Sequence, residues 1–484
     1  MTIKRLPIRL VGDDRRVIAR PFILGGARVN SVLRRLAELP EAEVARILEN
    51  VRRDFSVRHL RTEALFDEHY RVAAALVGFR TDWSEARRLL AGAYFTMEYS
   101  VDSAALFNPS IVAHPDQTGV PPGALRFVMS LRATGEGHVS SVVFRTGQIT
   151  AGQEVVLDPA PTRMHRARIV PDRQFHKPLF HQKLTEMGLD GESVAKVLDR
   201  LGELFTMAEL TTAIDSARPE LIEVAGSNDA LRTIHWLASS NYHINLEAEA
   251  SLQELVIFPM SEDESHGIED LRLVRYIGDD GQATYFGTYT AYNGVRTLPM
   301  MIQTRDFKRI EIHSLNGAGA ANKGLALFPR KVNGKFVMCS RIDGENLYIN
   351  QSDSAYFWAS ATRLTAPRYP WEFMQIGNCG SPLETEAGWL LLTHGVGPMR
   401  TYVIGAALLD LDDPLKVIGY LPEPLIVPVD DEREGYVPNV VYSCGAIIHK
   451  EALFIPYAAA DKSTSMAVVD LGELLDRLKQ SGEP

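Results

Sequence analysis

A pair of acidic residues, Glu269 and Asp270, stands at the start of the apolar run LRLV. A carboxylate at a strand start can point into a central cavity. Burial disfavours the charged form of a carboxyl group and so raises its pKa, which lets the group hold a proton near neutral pH. Asp270 is therefore a candidate general acid, provided that burial raises its pKa. The alternative is an ordinary turn carboxylate.

Basic residues stand beside apolar runs at two further places. Lys323 and Arg341 flank LALF and FVMC and could converge on one anion, with a surface role for each as the alternative. Arg132 follows FVMSL, and an arginine buried there without a partner would be costly, so we expect it to pair with an acid or an anion. His394 ends the apolar run GWLLLTH, where a structural histidine is the alternative.

Amide and aromatic side chains suited to a sugar occur at the ends of other β-like runs. Tyr292 and Asn293 close the run TYFGTYTAYNG and could present a ring and an amide, with cross-strand packing as the alternative. Asn108 precedes Pro109, which biases Asn108 towards extended backbone geometry. Its amide is expected either to bind a ligand or to stabilise a turn.

Several common catalytic signals are absent from the sequence. It contains no P-loop, no HExxH and no GxSxG, and the glycine-rich segment 317–324 departs from a dinucleotide fingerprint. His176 and His181 are poorly spaced for zinc on one helical face. We therefore expect no metal and no organic cofactor.

Charge and composition exclude other functions. Acidic residues outnumber basic ones by 61 to 51, a net charge of −10, which argues against nucleic-acid or anionic-membrane binding. The three cysteines are too few for a disulfide framework. The N-terminus lacks the apolar segment of a signal peptide, and no apolar stretch is long enough to span a membrane. A soluble cytoplasmic protein is expected.

The elements that must position these residues differ along the chain. At about 150 residues per domain, 484 residues correspond to about three domain-sized units. Apolar spacings of three and four predict helices over 28–98 and again over about 175–245. Roughly fifteen to twenty short strands after residue 100 favour a five-bladed β-propeller of four strands per blade. Two β-sandwiches interrupted by helices are the alternative.

An ordered set of segments resembles glycoside hydrolase family 130, the β-mannoside phosphorylases and related β-mannosidases. The segments, in order from about 100 to 470, are FNPSIV, SLRATGEG, IEDLR, YFGTYTAYNG, NKGLALFPRK, GNCGSP with GWLLLTHGV, and YVPNVVYSCGA with PYAAAD. The family pattern at the acid is Glu-Asp-Pro-Arg, whereas this chain has Leu271 in place of the proline.

The resemblance implies a mainly β fold, a five-bladed propeller over 99–470 with its active site at one end of the central axis. The mostly helical extension over 1–98 and the helical insertion near 175–245 are additions to a minimal family member, and a C-terminal helix and tail over 471–484 are expected to follow. It implies that Asp270 is the general acid and that its proton passes through the 3-hydroxyl of the sugar. In family phosphorylases, inorganic phosphate attacks the anomeric carbon with inversion and releases α-mannose 1-phosphate. A phosphate nucleophile needs cations and donors to hold it in line, and no carboxylate base.

Site residues follow from that chemistry. The candidates for phosphate are Asn293, Lys323, Arg341 and His394, with Arg296 and Arg400 in reserve. The candidates for the mannosyl ring are Asn108, Arg132, Tyr292 and Asp461, and Glu136 is expected to bind sugar or to pair with a cation.

Three functions compete at this point. The first is a phosphorylase whose partners are a β-mannoside oligosaccharide and phosphate. The second is an inverting β-mannosidase, which would need Glu136 or Asp343 as a base, about 6.5–9.5 Å from the acid. The third is a non-catalytic glycan-binding propeller. The helical additions are expected to form contacts in a homo-oligomer or a rim around the site, with a polar cap as the alternative.

Overall fold

The structure is a computed structural model that describes residues 3–170 and 173–482. The last two residues of the predicted C-terminal tail, 483 and 484, lie outside that range. The first part of the chain contains β1 (Ile3–Leu10), β2 (Val17–Pro21), α1 (Gly26–Ala37), α2 (Glu41–Phe55), α3 (Thr62–Leu76), α4 (Glu85–Tyr94) and β3 (Thr96–Ser100). Val29, Leu33 and Leu36 recur on one face of α1 and are buried, as a spacing of three and four requires.

The next part contains short strands followed by the helical insertion. The strands are β4 (Ala105–Ala113), β5 (Leu125–Thr134), β6 (Ser140–Ile149), β7 (Val155–Leu157), β8 (His165–Arg166) and β9 (Arg168–Ile169). The insertion contains β10 (Phe175–His176), α5 (Lys177–Glu186), α6 (Glu192–Leu198), β11 (Leu204–Phe205), α7 (Met207–Ala217) and α8 (Ser227–Ser239). Its apolar side chains, among them Leu184, Leu210 and Ile234, form a cluster of their own.

The remainder is β-rich, as predicted. Its strands are β12 (Tyr242–Asn245), β13 (Leu255–Ile257), β14 (Gly267–Ile277), β15 (Ala283–Tyr292), β16 (Thr297–Thr304), β17 (Arg309–Ser314), β18 (Lys323–Leu327), β19 (Phe336–Arg341), β20 (Leu347–Ser352), β21 (Thr362–Thr365), β22 (Gln375–Asn378), β23 (Leu383–Thr385), β24 (Gly388–Val396), β25 (Tyr402–Leu409), β26 (Val417–Tyr420), β27 (Val441–Tyr442), β28 (Ile447–His449), β29 (Ala452–Ala459) and β30 (Ser463–Asp470). Helix α9 (Leu471–Ser481) follows. The mainly β architecture with helices is thereby confirmed.

Most of these strands fall into five antiparallel groups in chain order. Group one is β4–β7, group two β14–β17, group three β18–β21, group four β22–β26, and group five β27–β30 with β1 at its edge. Groups one and two join in one larger sheet through Gly267 and Ser140. Contacts run from β4 to β14, β15 to β18, β19 to β22 and β25 to β27, and return from β29 to β4. Each group therefore contacts the next, and the fifth contacts the first.

The first strand of three consecutive groups is interrupted at a similar place. The register shifts after Phe107 in β4, after Glu269 in β14 and after Lys323 in β18. Asn108, Asp270 and Gly324 occupy these shifts with φ of 48°, 57° and 79°. Such bulges redirect side chains and are frequent beside active sites.

The expectation of extended geometry at Asn108 is therefore wrong. The preference that Pro109 imposes is overridden, because the left-handed backbone aims the Asn108 amide at Asp270, to which it donates a hydrogen bond. Asparagine tolerates this backbone region better than most residues.

One feature of the first part of the chain completes the architecture. Strand β1 pairs antiparallel with β30, from Ile3 opposite Val469 to Leu10 opposite Thr464. Residues 3–10 thus form the edge of group five, although they precede the helices. Within 3–170 and 173–482, no helix is both long and apolar enough to cross a bilayer.

Candidate active site

Asp270 lies in the bulge of β14, where its carboxylate meets residues from group one. Its Oδ1 accepts a hydrogen bond of 2.7 Å from Nδ2 of Asn108 and lies 3.3 Å from Nη1 of Arg132. The Asp270 side chain is 20% exposed, so it is mostly enclosed but still reachable. The structure thus brings together three of the residues singled out in the sequence.

Glu269 extends this cluster to group three. Its Oε1 accepts a hydrogen bond of 3.0 Å from Nη2 of Arg132, and its Oε2 accepts one of 2.6 Å from Nζ of Lys323. Arg132 therefore bridges the two neighbouring carboxylates. Lys323 in turn lies directly opposite Arg341 in the register between β18 and β19. The convergence of these two cations on one anion stays a prediction.

The pKa of Asp270 differs from the sequence-based expectation. Burial acts to raise it, but the charge of Arg132, the hydrogen bond from Asn108 and the charges of Arg272 and Lys323 together leave the pKa below its ordinary value. The carboxyl group is therefore ionised in the free protein at neutral pH. The condition that burial raises its pKa is not met, because the cations outweigh desolvation.

A second carboxyl group, Asp461, belongs to the same electrostatic environment. It lies in the turn between β29 and β30, where its backbone is left-handed with φ of 49°. Burial and the negative charge of Asp270 raise the pKa of Asp461 to about 6, although Arg132 and Arg400 act in the opposite direction. Two carboxyl groups whose surroundings push their pKa values apart are a common arrangement for acid–base chemistry.

Arg341 and His394 form a pair on the other side of Lys323. Nη1 of Arg341 donates to Nε2 of His394 at 3.3 Å, and the side-chain amide of Gln375 donates to the same nitrogen at 3.1 Å. Nδ1 of His394 lies 3.1 Å from the backbone carbonyl of Asn378, so it carries the hydrogen. Burial and the charges of Arg341 and Arg272 hold the pKa of His394 well below its ordinary value. His394 is therefore neutral and orients Arg341.

Three residues connect these parts: Arg272, the retained arginine of the family pattern at the acid, and Asn378 and Tyr442, which were not singled out from the sequence. Arg272 and Asn378 are buried and Tyr442 is partly buried. Arg272 donates to the side chain of Asn378 at 2.6 Å and to its backbone carbonyl at 3.0 Å, and it also donates to the hydroxyl of Tyr442. Asn378 donates to the carbonyl of Gly324 at 2.6 Å. The four strands β14, β18, β22 and β27, each from a different group, are thus tied together. All three residues lie in segments that carry the family resemblance, namely IEDLR, GNCGSP and VVYSCGA.

Other predicted residues have different surroundings. Asn293 accepts hydrogen bonds from the backbone of Val295 and Arg296, and both Asn293 and Arg296 line a cavity of about 1560 Å³ against the helical insertion. The hydroxyl of Tyr292 donates to the carbonyl of Gly294. Glu136 is exposed. Within the described part of the chain, no hydrogen bond joins these four side chains to Lys323, Arg341 or His394.

Asp343, the other carboxylate considered as a base, has its oxygens engaged in a turn. Oδ1 accepts from the backbone amides of Glu345 and Asn346, each at 2.9 Å, and Oδ2 accepts from the Tyr348 hydroxyl at 2.7 Å. Burial opposes these hydrogen bonds, which nevertheless lower the pKa of Asp343. As for metals, no cluster of three or more histidine, cysteine or carboxylate side chains suited to an ion occurs in residues 3–170 and 173–482.

Comparison with known proteins identifies the class to which this fold and site belong. The family model described as β-1,4-mannooligosaccharide phosphorylase, glycoside hydrolase family 130, matches residues 226–480, more than half of the chain. The chain therefore belongs to glycoside hydrolase family 130, and the resemblance read from its sequence is confirmed.

Individual relatives carry phosphorylase names. The chain is 32% identical to a 1,2-β-oligomannan phosphorylase of Thermoanaerobacter sp. (strain X514), over 46% of this chain and 75% of the relative. It is also 32% identical to a β-1,2-mannobiose phosphorylase of Listeria innocua, over 50% and 67% respectively. The solved structure of a Listeria innocua β-1,2-mannobiose phosphorylase with β-1,2-mannobiose is similar with a TM-score of 0.48 and 23% identity, over 79% of this chain and 93% of that one.

Proposed function

We propose that this protein is an inverting phosphorylase that cleaves β-mannosides with inorganic phosphate and releases α-mannose 1-phosphate. The observation that carries the proposal is the position of Lys323. It lies opposite Arg341 in the strand register and is bonded to Glu269, the neighbour of Asp270. A cationic pair thus stands beside the proposed acid. The phosphorylase names of the relatives agree with this reaction.

Phosphate is held, in this proposal, by Lys323 and Arg341. Guanidinium groups suit a phosphate because two parallel N–H groups can contact two of its oxygens. His394 orients Arg341 by accepting a hydrogen bond from its Nη1, and Gln375 donates to the same nitrogen of His394. Phosphate is itself an anionic nucleophile, so no carboxylate base is needed.

The mannosyl ring lies against Asn108 and Asp270. Oδ1 of Asn108 is buried and has no hydrogen-bond partner among the described residues, so it is free to accept a bond from a sugar hydroxyl. Nδ2 of the same amide donates to Asp270. One side chain would therefore orient the sugar and the acid at the same time.

Asp270 must gain a proton before it can act as an acid. Cations, including Lys323, lower its pKa in the free protein. A phosphate bound to Lys323 and Arg341 brings negative charge next to these cations, which offsets their effect and raises the pKa of Asp270. The proton then passes through the 3-hydroxyl of the sugar to the oxygen of the leaving group, while phosphate forms the new bond to the anomeric carbon.

The architecture belongs to the same proposal. We infer that the five strand groups are the blades of a five-bladed propeller, because contacts run from each group to the next and return from the fifth to the first. The site then lies at one end of the axis, since Asn108, Asp270 and Lys323 all come from the first strands of their groups. Cys339, Cys379 and Cys444 are free and buried, which supports a reducing, cytoplasmic location.

The deciding experiment is to incubate the protein with a panel of β-1,2-, β-1,3- and β-1,4-linked mannosides, with and without phosphate. We expect mannose 1-phosphate only in the presence of phosphate. Equal release of free mannose in both cases would instead identify a β-mannosidase. Binding of a mannoside without turnover under any condition would identify a glycan-binding protein.

A further inference from the structure

A second cavity, lined in part by arginines, lies away from the candidate active site. Its volume is about 480 Å³, and it lies between the segment that follows β1 and strand group one. Arg16 and Arg145 line it, the first from the segment between β1 and β2 and the second from β6. Neither residue contributes to the reaction proposed above.

Both arginines are buried, and much of their hydrogen-bonding capacity is unused. Arg16 is 3% exposed and Arg145 is 7% exposed. Within the described residues, Nε and Nη2 of Arg16 and Nε and Nη1 of Arg145 have no hydrogen-bond partner. The ion pairs of the described chain include one between Arg16 and Asp102 and none that involves Arg145.

Asp102 is the only carboxylate in direct contact with Arg16 and Arg145 in the described structure, and both of its oxygens already accept hydrogen bonds. Its Oδ2 accepts from Arg16, and its Oδ1 accepts a hydrogen bond of 3.2 Å from the backbone amide of Asp13. Burial, together with the charge of Arg16, lowers the pKa of Arg145, although the charges of Asp102 and Asp158 act in the opposite direction. Arg15, Arg16 and Arg145 line the cavity together with Asp13 and Asp14. Asp13 pairs with Arg15 and Asp102 pairs with Arg16, so among the described residues Arg145 is the arginine of this lining that has no ion-pair partner.

A buried guanidinium without a partner is costly, so such groups are normally paired or bonded. We propose that this cavity binds a phosphate group, carried either by inorganic phosphate or by a sugar phosphate, at a site separate from the catalytic one. A tetrahedral oxyanion would satisfy the unused donors of both arginines. Because Arg16 lies in the N-terminal extension and Arg145 belongs to group one, the bound anion would also connect these two parts.

The test is equilibrium dialysis of the full chain with radiolabelled inorganic phosphate at constant ionic strength. We expect wild-type protein to bind two phosphate ions per chain, Arg341→Gln to retain one, and the double variant Arg341→Gln/Arg145→Gln to retain none. Arg126→Gln, on the neighbouring strand β5, is the matched control and should still bind two. No phosphate bound to Arg341→Gln would overturn the proposal without depending on the folding of an Arg145 variant. One phosphate per wild-type chain that persists in Arg341→Gln and is lost with Arg145→Gln would support this site and count instead against the phosphate site at Arg341.

Competition identifies the source of the phosphate group. Arg341→Gln protein is dialysed with labelled phosphate while unlabelled mannose 1-phosphate or mannose is added. Displacement by mannose 1-phosphate at lower concentration than by unlabelled phosphate would assign the site to a sugar phosphate, and the reverse would assign it to free phosphate. Displacement by mannose alone would contradict an oxyanion site.

Discussion

Nη1 of Arg341 lies 3.3 Å from Nε2 of His394, and the imidazole accepts this hydrogen bond as a neutral ring. The histidine therefore aims the guanidinium and leaves the positive charge to Arg341. We expect Arg341→Gln to raise the KM for phosphate roughly ten- to a hundredfold, because a hydrogen bond to a charged group is worth about 1.5–3 kcal/mol. Initial rates over a phosphate series check this. Arg363→Gln, exposed on β21 of the same group, is the control, and an unchanged KM in Arg341→Gln would remove Arg341 from the phosphate site.

Replacement of the proposed acid should separate binding from chemistry. We expect Asp270→Asn to lower kcat by about 10²–10⁴, the usual contribution of general acid catalysis. The isosteric amide keeps the volume of the side chain, so mannoside affinity should be retained in calorimetry. Asp279→Asn, an exposed position just beyond β14, should leave kcat unchanged. Full turnover by Asp270→Asn would show that another group supplies the proton.

Arg272 should matter for stability more than any exposed arginine of its strand. Arg272→Met removes the donor to the side-chain oxygen and the backbone carbonyl of buried Asn378 and to the hydroxyl of Tyr442. Removing one member of such a buried charged network costs about 3–5 kcal/mol of unfolding free energy. Urea unfolding measures this loss. Arg275→Met, exposed on the same strand, should change the free energy by about 0.5 kcal/mol or less, and equal effects of both variants would contradict the role assigned to Arg272.

The raised pKa of Asp461 predicts a specific dependence of stability on pH. Burial, chiefly, raises this pKa from an ordinary 3.8 to about 6, so the folded state holds the proton more tightly than the unfolded state. Stability from this group is fully present below the unfolded pKa and is lost as pH rises through the folded one. Between about pH 4 and pH 7, wild-type protein should lose up to about 3 kcal/mol of unfolding free energy relative to Asp461→Asn.

Urea unfolding of both proteins across this pH range measures that difference. Asp279→Asn, unfolded in parallel, gives the background of an exposed aspartate substitution. A difference between wild-type protein and Asp461→Asn that stays constant from pH 4 to pH 7 would contradict the raised pKa.

The fold was predictable where local pattern decides it. Spacings of three and four define α1, where Val29, Leu33 and Leu36 are buried, and alternating short runs define the strands. The backbone at Asn108 was not predictable in this way. Its left-handed φ depends on a contact with Asp270, 162 residues further along the chain, which overrides the local influence of Pro109.

The candidate site, like the fold, was predictable only in part. Asp270 and the pairing of Lys323 with Arg341 follow from residue types at strand ends. The direction of the Asp270 pKa does not, because the cations that lower it come from different strand groups. Arg272 was visible in the sequence as the arginine of the family pattern at the acid, but its partners were not predictable for a related reason. Its bonds to Asn378 and Tyr442 exist only after groups two, four and five have come together.

The pairing of β1 with β30 has a consequence for the order of folding. Residues 3–10 are synthesised before strand groups one to four, but their partners at 463–470 are synthesised after them. While groups one to four are made and can already assemble, the hydrogen-bonding edge of β1 lacks its partner strand. Closure of group five is therefore the most non-local step of folding, and pairings of this kind are intrinsically slow. Chaperone dependence of this protein should be concentrated in that interval.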